Sequence, residues 1–161
     1  MKQIIKILFF TLLPVFSCAQ VNPLFLEPTK READSLKISL SDKMNDTLRM
    51  AAYRELALFY LDINIDSAMY YIQQDLPFAK KLNLKLWEAD GLDLYGIILN
   101  YMGNYPKSLL AFNESLKLAE DIESENNIWQ ISKFTNGKNP TTARLNMLST
   151  INMDFSGLYM S

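Results

Sequence analysis

Three segments of this chain share one short pattern: a large apolar residue, a small residue, two variable positions and another large apolar residue. They read LALFY at 56–60, YGIIL at 95–99 and FSGLY at 155–159. A small side chain on a helix lets a neighbouring helix approach closely, and the large flanking side chains fill the space around the contact. The residues predicted to make these contacts are Leu56, Ala57, Tyr60, Tyr95, Gly96, Leu99, Phe155, Ser156 and Tyr159.

The small residues also recur at a long period. Ala68 and Ser108 lie forty residues apart, and Ala57 precedes Gly96 by thirty-nine. A repeat of this length holds two helices, and it predicts an array of helical hairpins that bury their apolar faces against one another. Ala68, Ser108 and Phe112 complete the set of predicted packing residues.

Apolar residues at helical spacing, with residues that start helices before them, predict where the helices lie. Thr29 and Glu32 have the spacing of a capping box, and Asp46 and Asp66 are the predicted N-caps of the second and third helices. Pro77 falls inside the third helix, where it is expected to kink the helix or loosen a turn. No strand-like alternation has a partner to pair with, so the predicted fold class is all-α.

The domain organisation follows from these elements. The acidic run at 120–125 is predicted to be a fraying helix end with a solvated polar face, and the next residues are read as a short helix or a continuation of the fifth helix. The predicted parts are a signal peptide at 1–19, an extended leader at 20–28, helical hairpins at 29–125, an irregular insertion at 126–139, and the first helix of an incomplete third repeat at 140–161.

The two hairpin units carry a recognisable set of residues. The better copy has Leu92, Tyr95, Gly96, Leu99, Gly103, Tyr105, Ser108, Phe112, Ser115 and Leu116, and the weaker copy has Leu56, Ala57, Tyr60 and Ala68. On these residues the chain resembles the tetratricopeptide repeat (TPR) family, which implies antiparallel helical hairpins stacked as a short solenoid. The segments DTLRMAAYRELALFY and AMYYIQQDLPFAKKLN are similar to the exported N-terminal TPR region of bacterial two-component sensor histidine kinases and related regulators.

The resemblance implies an exported protein–protein interaction module, in the sensory N-terminal part of a signal-transduction protein. The alternative is a stand-alone periplasmic or lipid-anchored scaffold of the cell envelope. In a stacked array the first helices of successive hairpins line an inner groove that receives peptides or partner helices. The residues that the repeat register places in this groove are Arg54, Leu58, Leu61, Asp62, Asp93, Ile97, Asn100 and Tyr101. The alternative is that these side chains contact only neighbouring helices or water.

The N-terminus has the features of a secretory signal peptide. Lys2 and Lys6 give a positively charged start, an apolar core runs over 7–16, and small residues precede a cleavage site after Ala19. That apolar core is too short to span a bilayer of about 30 Å. Cleavage after Ala19 discards Cys18, whereas cleavage before it leaves a lipid-modified cysteine. We therefore expect an exported protein, periplasmic or in the cell envelope, with no membrane span after signal cleavage.

Several kinds of chemistry are disfavoured by composition. The chain has no histidine, which excludes Ser-His-Asp and Cys-His nucleophile systems and His-ligated metals. The segment 62–73 matches the first ligands of a calcium-binding EF-hand, but Ser67 and Gln73 stand where that loop needs glycine and glutamate. A net charge of −2 argues against nucleic acid. We expect no enzymatic activity, no catalytic residues, no cofactor and no metal, a groove without titratable catalytic pairs, and a protein or peptide partner.

The last predicted helix starts a third hairpin whose second helix the sequence does not contain. Ile151, Phe155 and Leu158 fall on one face of it, which would face that missing helix. We therefore expect a fragment of a longer sensor, or another chain that supplies the missing helix. We also expect either weak stability or self-association through this uncapped helix.

Overall fold

Helices make up the regular structure of this chain. The computed structural model describes residues 28–40 and 43–158, and these contain no strand. The predicted all-α fold class is confirmed. The α-helices are α1 (Lys30–Ser39), α2 (Asp46–Tyr60), α3 (Ile65–Lys81), α4 (Lys85–Tyr101), α5 (Tyr105–Glu120) and α6 (Pro140–Gly157), with 3-10 turns at Ile122–Glu125 and Ile131–Lys133.

The helices pair in chain order. α2 packs along α3, α4 packs along α5, and α3 packs on α4 between the two pairs. Since only a few residues connect the members of each pair, each pair is an antiparallel hairpin, and the hairpins stack as in a helical-repeat array. α1 lies on α2, and α6 lies across α5 and α4. None of the helices in the described residues has both the length and the apolar character needed to cross a membrane.

Asparagine side chains start the two helices of the first hairpin. Asn45 accepts a hydrogen bond from the Thr47 N–H at 2.8 Å, and Asn64 accepts one from the Ser67 N–H at 2.8 Å. The N-caps predicted at Asp46 and Asp66 are therefore wrong, because both aspartates already lie within the first helical turn. The capping box of Thr29 and Glu32 is confirmed.

α3 continues through Pro77 from Ile65 to Lys81. The proline removes one backbone N–H, which leaves the carbonyl of Gln73 without its helical partner. Both residues are exposed, so water can satisfy that carbonyl. The proline therefore does not end the helix.

The close contact of the second hairpin is between Gly96 and Phe112. A Cβ on Gly96 would lie 3.0 Å from the Phe112 ring, and the Ser108 hydroxyl donates to the Gly96 carbonyl at 2.7 Å. In the first hairpin Ala57 and Ala68 are both fully buried. Around these contacts Leu56 and Leu99 are buried, and Tyr60 and Tyr95 are half-buried.

The third copy of the pattern behaves differently. Phe155 is half-buried, with its ring centroid 5.8 Å from that of Phe112. Ser156 is exposed and donates to the Met153 carbonyl, so the helix contact predicted at Ser156 is wrong. Tyr159 lies outside the described residues, as do Cys18, the predicted signal peptide and the leader up to residue 27.

α6 buries the face that we expected to be open. Ile151 is 0 % exposed, and Phe155 and Leu158 pack against the same core. Because α6 lies across α4 and α5, the apolar face used to predict self-association is covered within the chain. The large apolar side chains that α6 leaves exposed are Leu145 and Met153.

The acidic run after α5 is tied to other elements. Asp121 pairs with Lys85 at 2.7 Å, and Glu125 pairs with Arg144 of α6 at 2.7 Å. The prediction of a fraying, merely solvated helix end is therefore wrong. The next residues do not continue α5. Apart from the turn at Ile131–Lys133 they are irregular, and they pack over Trp87 of α4.

Candidate functional site

A groove of about 460 Å³ opens between α2, α4 and α6. Seven of the eight residues that the repeat register places in a groove line it: Arg54, Leu58, Leu61, Asp93, Ile97, Asn100 and Tyr101. Asp62 does not, because it lies exposed in the turn after α2. We call this the α2–α4–α6 groove; its other lining residues are Asp90, Leu94, Phe112, Thr150, Met153, Asp154 and Gly157.

The walls of the groove are mainly apolar and partly open to solvent. Leu58 lies on α2, Leu61 directly follows the last residue of α2, and Ile97 lies on α4. Tyr101 and Met153, on α4 and α6, are 60 % and 63 % exposed. An apolar wall with a few polar groups beneath it is the usual composition of a ligand-binding cleft.

The buried end of the groove holds an ion pair. The Arg54 guanidinium donates to both carboxylate oxygens of Asp90, at 2.7 and 2.9 Å. Burial alone would raise the pKa of Asp90, but Arg54 and Lys133 together hold it below its usual range. Glu55 joins the network by accepting from Arg54 at 3.3 Å and from Lys133 at 3.2 Å. These contacts join α2, α4 and the irregular segment.

A pair of acidic residues spans the groove from α4 to α6. The carboxyl groups of Asp93 and Asp154 face each other, and each affects the pKa of the other. Burial, followed by the charge of Asp154, raises the pKa of Asp93 well above its usual range, and burial raises the pKa of Asp154. One buried oxygen of each, Oδ1 of Asp93 and Oδ2 of Asp154, has no hydrogen-bond partner. The same is true of Oδ1 of Asn100.

A groove without titratable catalytic pairs was expected from the sequence, and this acidic pair was not identified. Asp90 and Asp154 were missed because the sequence analysis followed apolar residues along each helix. A signal was present: Asp154 follows Met147 and Ile151 on one helical face, and Asp90 lies three residues before Asp93 in a mostly apolar stretch. An acidic residue at a core position of a helix lowers the stability of the fold unless it has a hydrogen-bonding or charged partner, so it indicates a candidate functional site.

A third buried acid, Asp75 of α3, lies beside α4 and outside the groove. It is 0 % exposed, and neither of its carboxyl oxygens has a hydrogen-bond partner. Gly91 leaves the space for it, since a Cβ there would lie 2.7 Å from Oδ2 of Asp75. Burial, and then the nearby charge of Asp90, raises the pKa of Asp75 well above its usual range, although Arg54 and Lys133 oppose this.

Replacing Asp75 with Asn should stabilise the protein increasingly as the pH rises. A raised folded-state pKa means that the stability contributed by protonated Asp75 is fully present below the unfolded pKa of about 3.9 and is lost as the pH rises through the folded value. The difference in unfolding free energy between Asp75→Asn and the parent should therefore grow by up to about 1.4 kcal/mol per pH unit in that window. Urea unfolding between acidic and neutral pH measures it.

Asp66→Asn, an exposed change on the same helix, is the matched control and should alter stability by less than about 0.5 kcal/mol. A difference between Asp75→Asn and the parent that stays constant with pH would contradict the burial of a titrating acid.

Among the described residues no three His, Cys, Asp or Glu side chains come together as a metal site. No protein-family model, curated protein or solved structure matches the chain. The TPR resemblance therefore stays a prediction, and the function has to be argued from the groove.

Proposed function

We propose that this protein is a helical-repeat interaction module whose α2–α4–α6 groove binds a peptide segment of a partner protein. The observation that carries the proposal is that α2 and α4, the first helices of the two hairpins, line one groove together with α6. Stacked hairpins commonly use this surface for binding.

The dimensions and surface of the groove support a peptide ligand. Its volume of about 460 Å³ lies within the roughly 300–1,000 Å³ of ordinary ligand pockets. It therefore suits a short segment with a few anchoring side chains better than a broad protein face. Exposed Tyr101 and Met153 at the mouth are residue types enriched where proteins meet.

The biological setting is the further part of the proposal. The resemblance to TPR regions of bacterial sensors and the signal-like N-terminus support an exported module, periplasmic or in the cell envelope, that senses by binding a protein. The mass of the mature N-terminus distinguishes a free Gln20 from a lipid-modified Cys18, and therefore a released module from an anchored one.

Blocking the groove should abolish peptide binding. Gly157 lines the groove, and a Cβ added there meets no atom within 4 Å, so there is space to attach a side chain and Gly157→Trp adds bulk at the groove. Peptides selected from a random phage-displayed library against the parent should bind Gly157→Trp at least about tenfold more weakly. Fluorescence polarisation with the synthetic peptides measures the affinities.

The matched control is Gly137→Trp. Gly137 is also exposed, has only ordinary contacts around an added Cβ, and lies outside the groove. This variant should bind the selected peptides as the parent does. Equal binding by both tryptophan variants, or a selection that yields no peptide, would overturn the proposed function.

A further inference from the structure

The charges that line the groove do not balance. Among the residues that the structure describes, three carboxyl groups, those of Asp90, Asp93 and Asp154, line the groove with one guanidinium, that of Arg54. Arg54 donates two hydrogen bonds to the Asp90 carboxylate, so that pair is close to neutral. Within the described part of the chain, the carboxyl groups of Asp93 and Asp154 have no such cationic partner.

The positions of these two carboxyl groups are unusual for a pair that only stabilises the fold. Asp93 is 4 % exposed, yet its Oδ1 has no hydrogen-bond partner, and Asp93 and Asp154 both line the groove. A buried carboxyl oxygen without a hydrogen-bond partner destabilises the folded protein. That cost is recovered when a donor enters the groove, and a charged donor recovers the most.

We propose that the Asp93–Asp154 pair is the specificity subsite of the groove and binds a lysine or arginine side chain of the partner peptide. This inference rests on the proposed function. The cationic head would lie between the two carboxyl groups, with donors for Oδ1 of Asp93 and Oδ2 of Asp154. Its aliphatic stem would lie along Ile97 and Met153, since the stems of long basic side chains pack well on apolar walls.

Other ligands fit these residues less well. An anion would meet the acidic pair, and Arg54 is already bound to Asp90. A metal ion would need a further ligand, and the described residues offer no group of three. An uncharged apolar side chain would leave both unpaired oxygens buried without a donor.

The test uses the peptides selected with the full-length parent protein. Their groove-binding members should carry a lysine or arginine. Replacing that residue with norleucine or citrulline, which keep the length but lose the charge, should weaken binding to the parent at least about tenfold. The same replacement should change binding little when the protein is Asp93→Asn or Asp154→Asn.

Asp62→Asn is the matched control, because it removes the same charge from an exposed site outside the groove. It should keep the preference for the charged peptide. Thermal melting by circular dichroism checks that the Asp93 and Asp154 variants are folded. If one variant does not fold, the peptide affinities of the other still test the subsite.

The pH dependence gives an independent readout. Asp93 faces Asp154 on α6, Asp90 on its own helix and Arg54 on α2, and burial followed by the charge of Asp154 raises its pKa. A bound cation favours the ionised carboxylates, so affinity for the basic peptide should rise as the pH increases above the ordinary pKa of aspartate, about 3.9, while lysine stays charged. The norleucine peptide should not show this rise.

The outcomes separate this inference from the proposed function. Peptides that depend on the groove but lack basic residues, or that keep their affinity on Asp93→Asn and Asp154→Asn, would overturn the subsite and leave the peptide-binding function standing. Self-association of the parent that Asp93→Asn abolishes would identify a second copy as the occupant and overturn both.

Discussion

Replacing Arg54 with Ala is expected to lower the free energy of unfolding by about 3–5 kcal/mol, because it leaves a buried charge without its partner. Asp90 is 3 % exposed and accepts both short contacts from Arg54. Lys133 lies 3.8 Å from the same carboxylate and cannot replace two direct hydrogen bonds. Urea unfolding monitored by circular dichroism measures the loss.

The double variant Arg54→Leu/Asp90→Leu is the control. It removes both charges and fills the space with apolar side chains, an exchange that is often neutral or stabilising. Lys133 and Glu55, which are 3.2 Å apart in the parent, are both left unchanged by this exchange. We therefore expect the double variant to recover most of the stability lost in Arg54→Ala. A loss below about 1 kcal/mol in Arg54→Ala, the value of an exposed pair, would contradict the buried geometry.

Trp87→Ala is expected to lower the free energy of unfolding by about 3–5 kcal/mol, the usual cost of removing a large buried aromatic side chain. Trp87 is 1 % exposed, and its indole N–H donates to the Trp129 carbonyl at 2.8 Å. The rings of Trp129 and Phe134 lie against it, with centroids at 5.2 and 5.7 Å. Because these contacts hold the irregular segment, limited proteolysis should cut 126–139 faster in the variant.

Trp87→Phe serves as the comparison, since it keeps most of the apolar area and removes the N–H donor. Trp87→Phe should lower the free energy of unfolding by about 1–3 kcal/mol, the cost of leaving the Trp129 carbonyl without its donor. If Trp87→Ala destabilised the chain but left proteolysis at 126–139 unchanged, the irregular segment would not be held through this side chain.

Much of the groove could be predicted because the repeat is periodic. Once Ala57 and Gly96 are aligned, the face of each helix follows from 3.6 residues per turn, and the positions one turn apart on α2 and α4 are assigned together. Leu61, the C-cap of α2, still has helical backbone angles. The placement at Asp62 failed because Asp62 lies beyond it in the turn, where helical spacing no longer applies. The N-caps were misplaced by one or two residues because Asn and Asp are both good caps.

The acidic pair could not be predicted in the same way. Asp93 and Asp154 are sixty-one residues apart, and the irregular segment at 126–139 between them has no period that would set its course. The position of α6 depends on how that segment packs over Trp87 and on the Glu125–Arg144 contact. Because the course of this segment could not be predicted, the face of α6 that carries Ile151 was expected to be open, whereas it is covered.

By itself the sequence determined the helices, their pairing into hairpins and the faces of α2 and α4, because helical periodicity, caps and small contact residues act over one or two turns. Only the tertiary structure decided which side of α6 meets α4 and α5, that Arg54 pairs with Asp90, and that Asp93 meets Asp154. Those contacts depend on how an irregular segment directs one helix onto another, and no local pattern of residues encodes that direction.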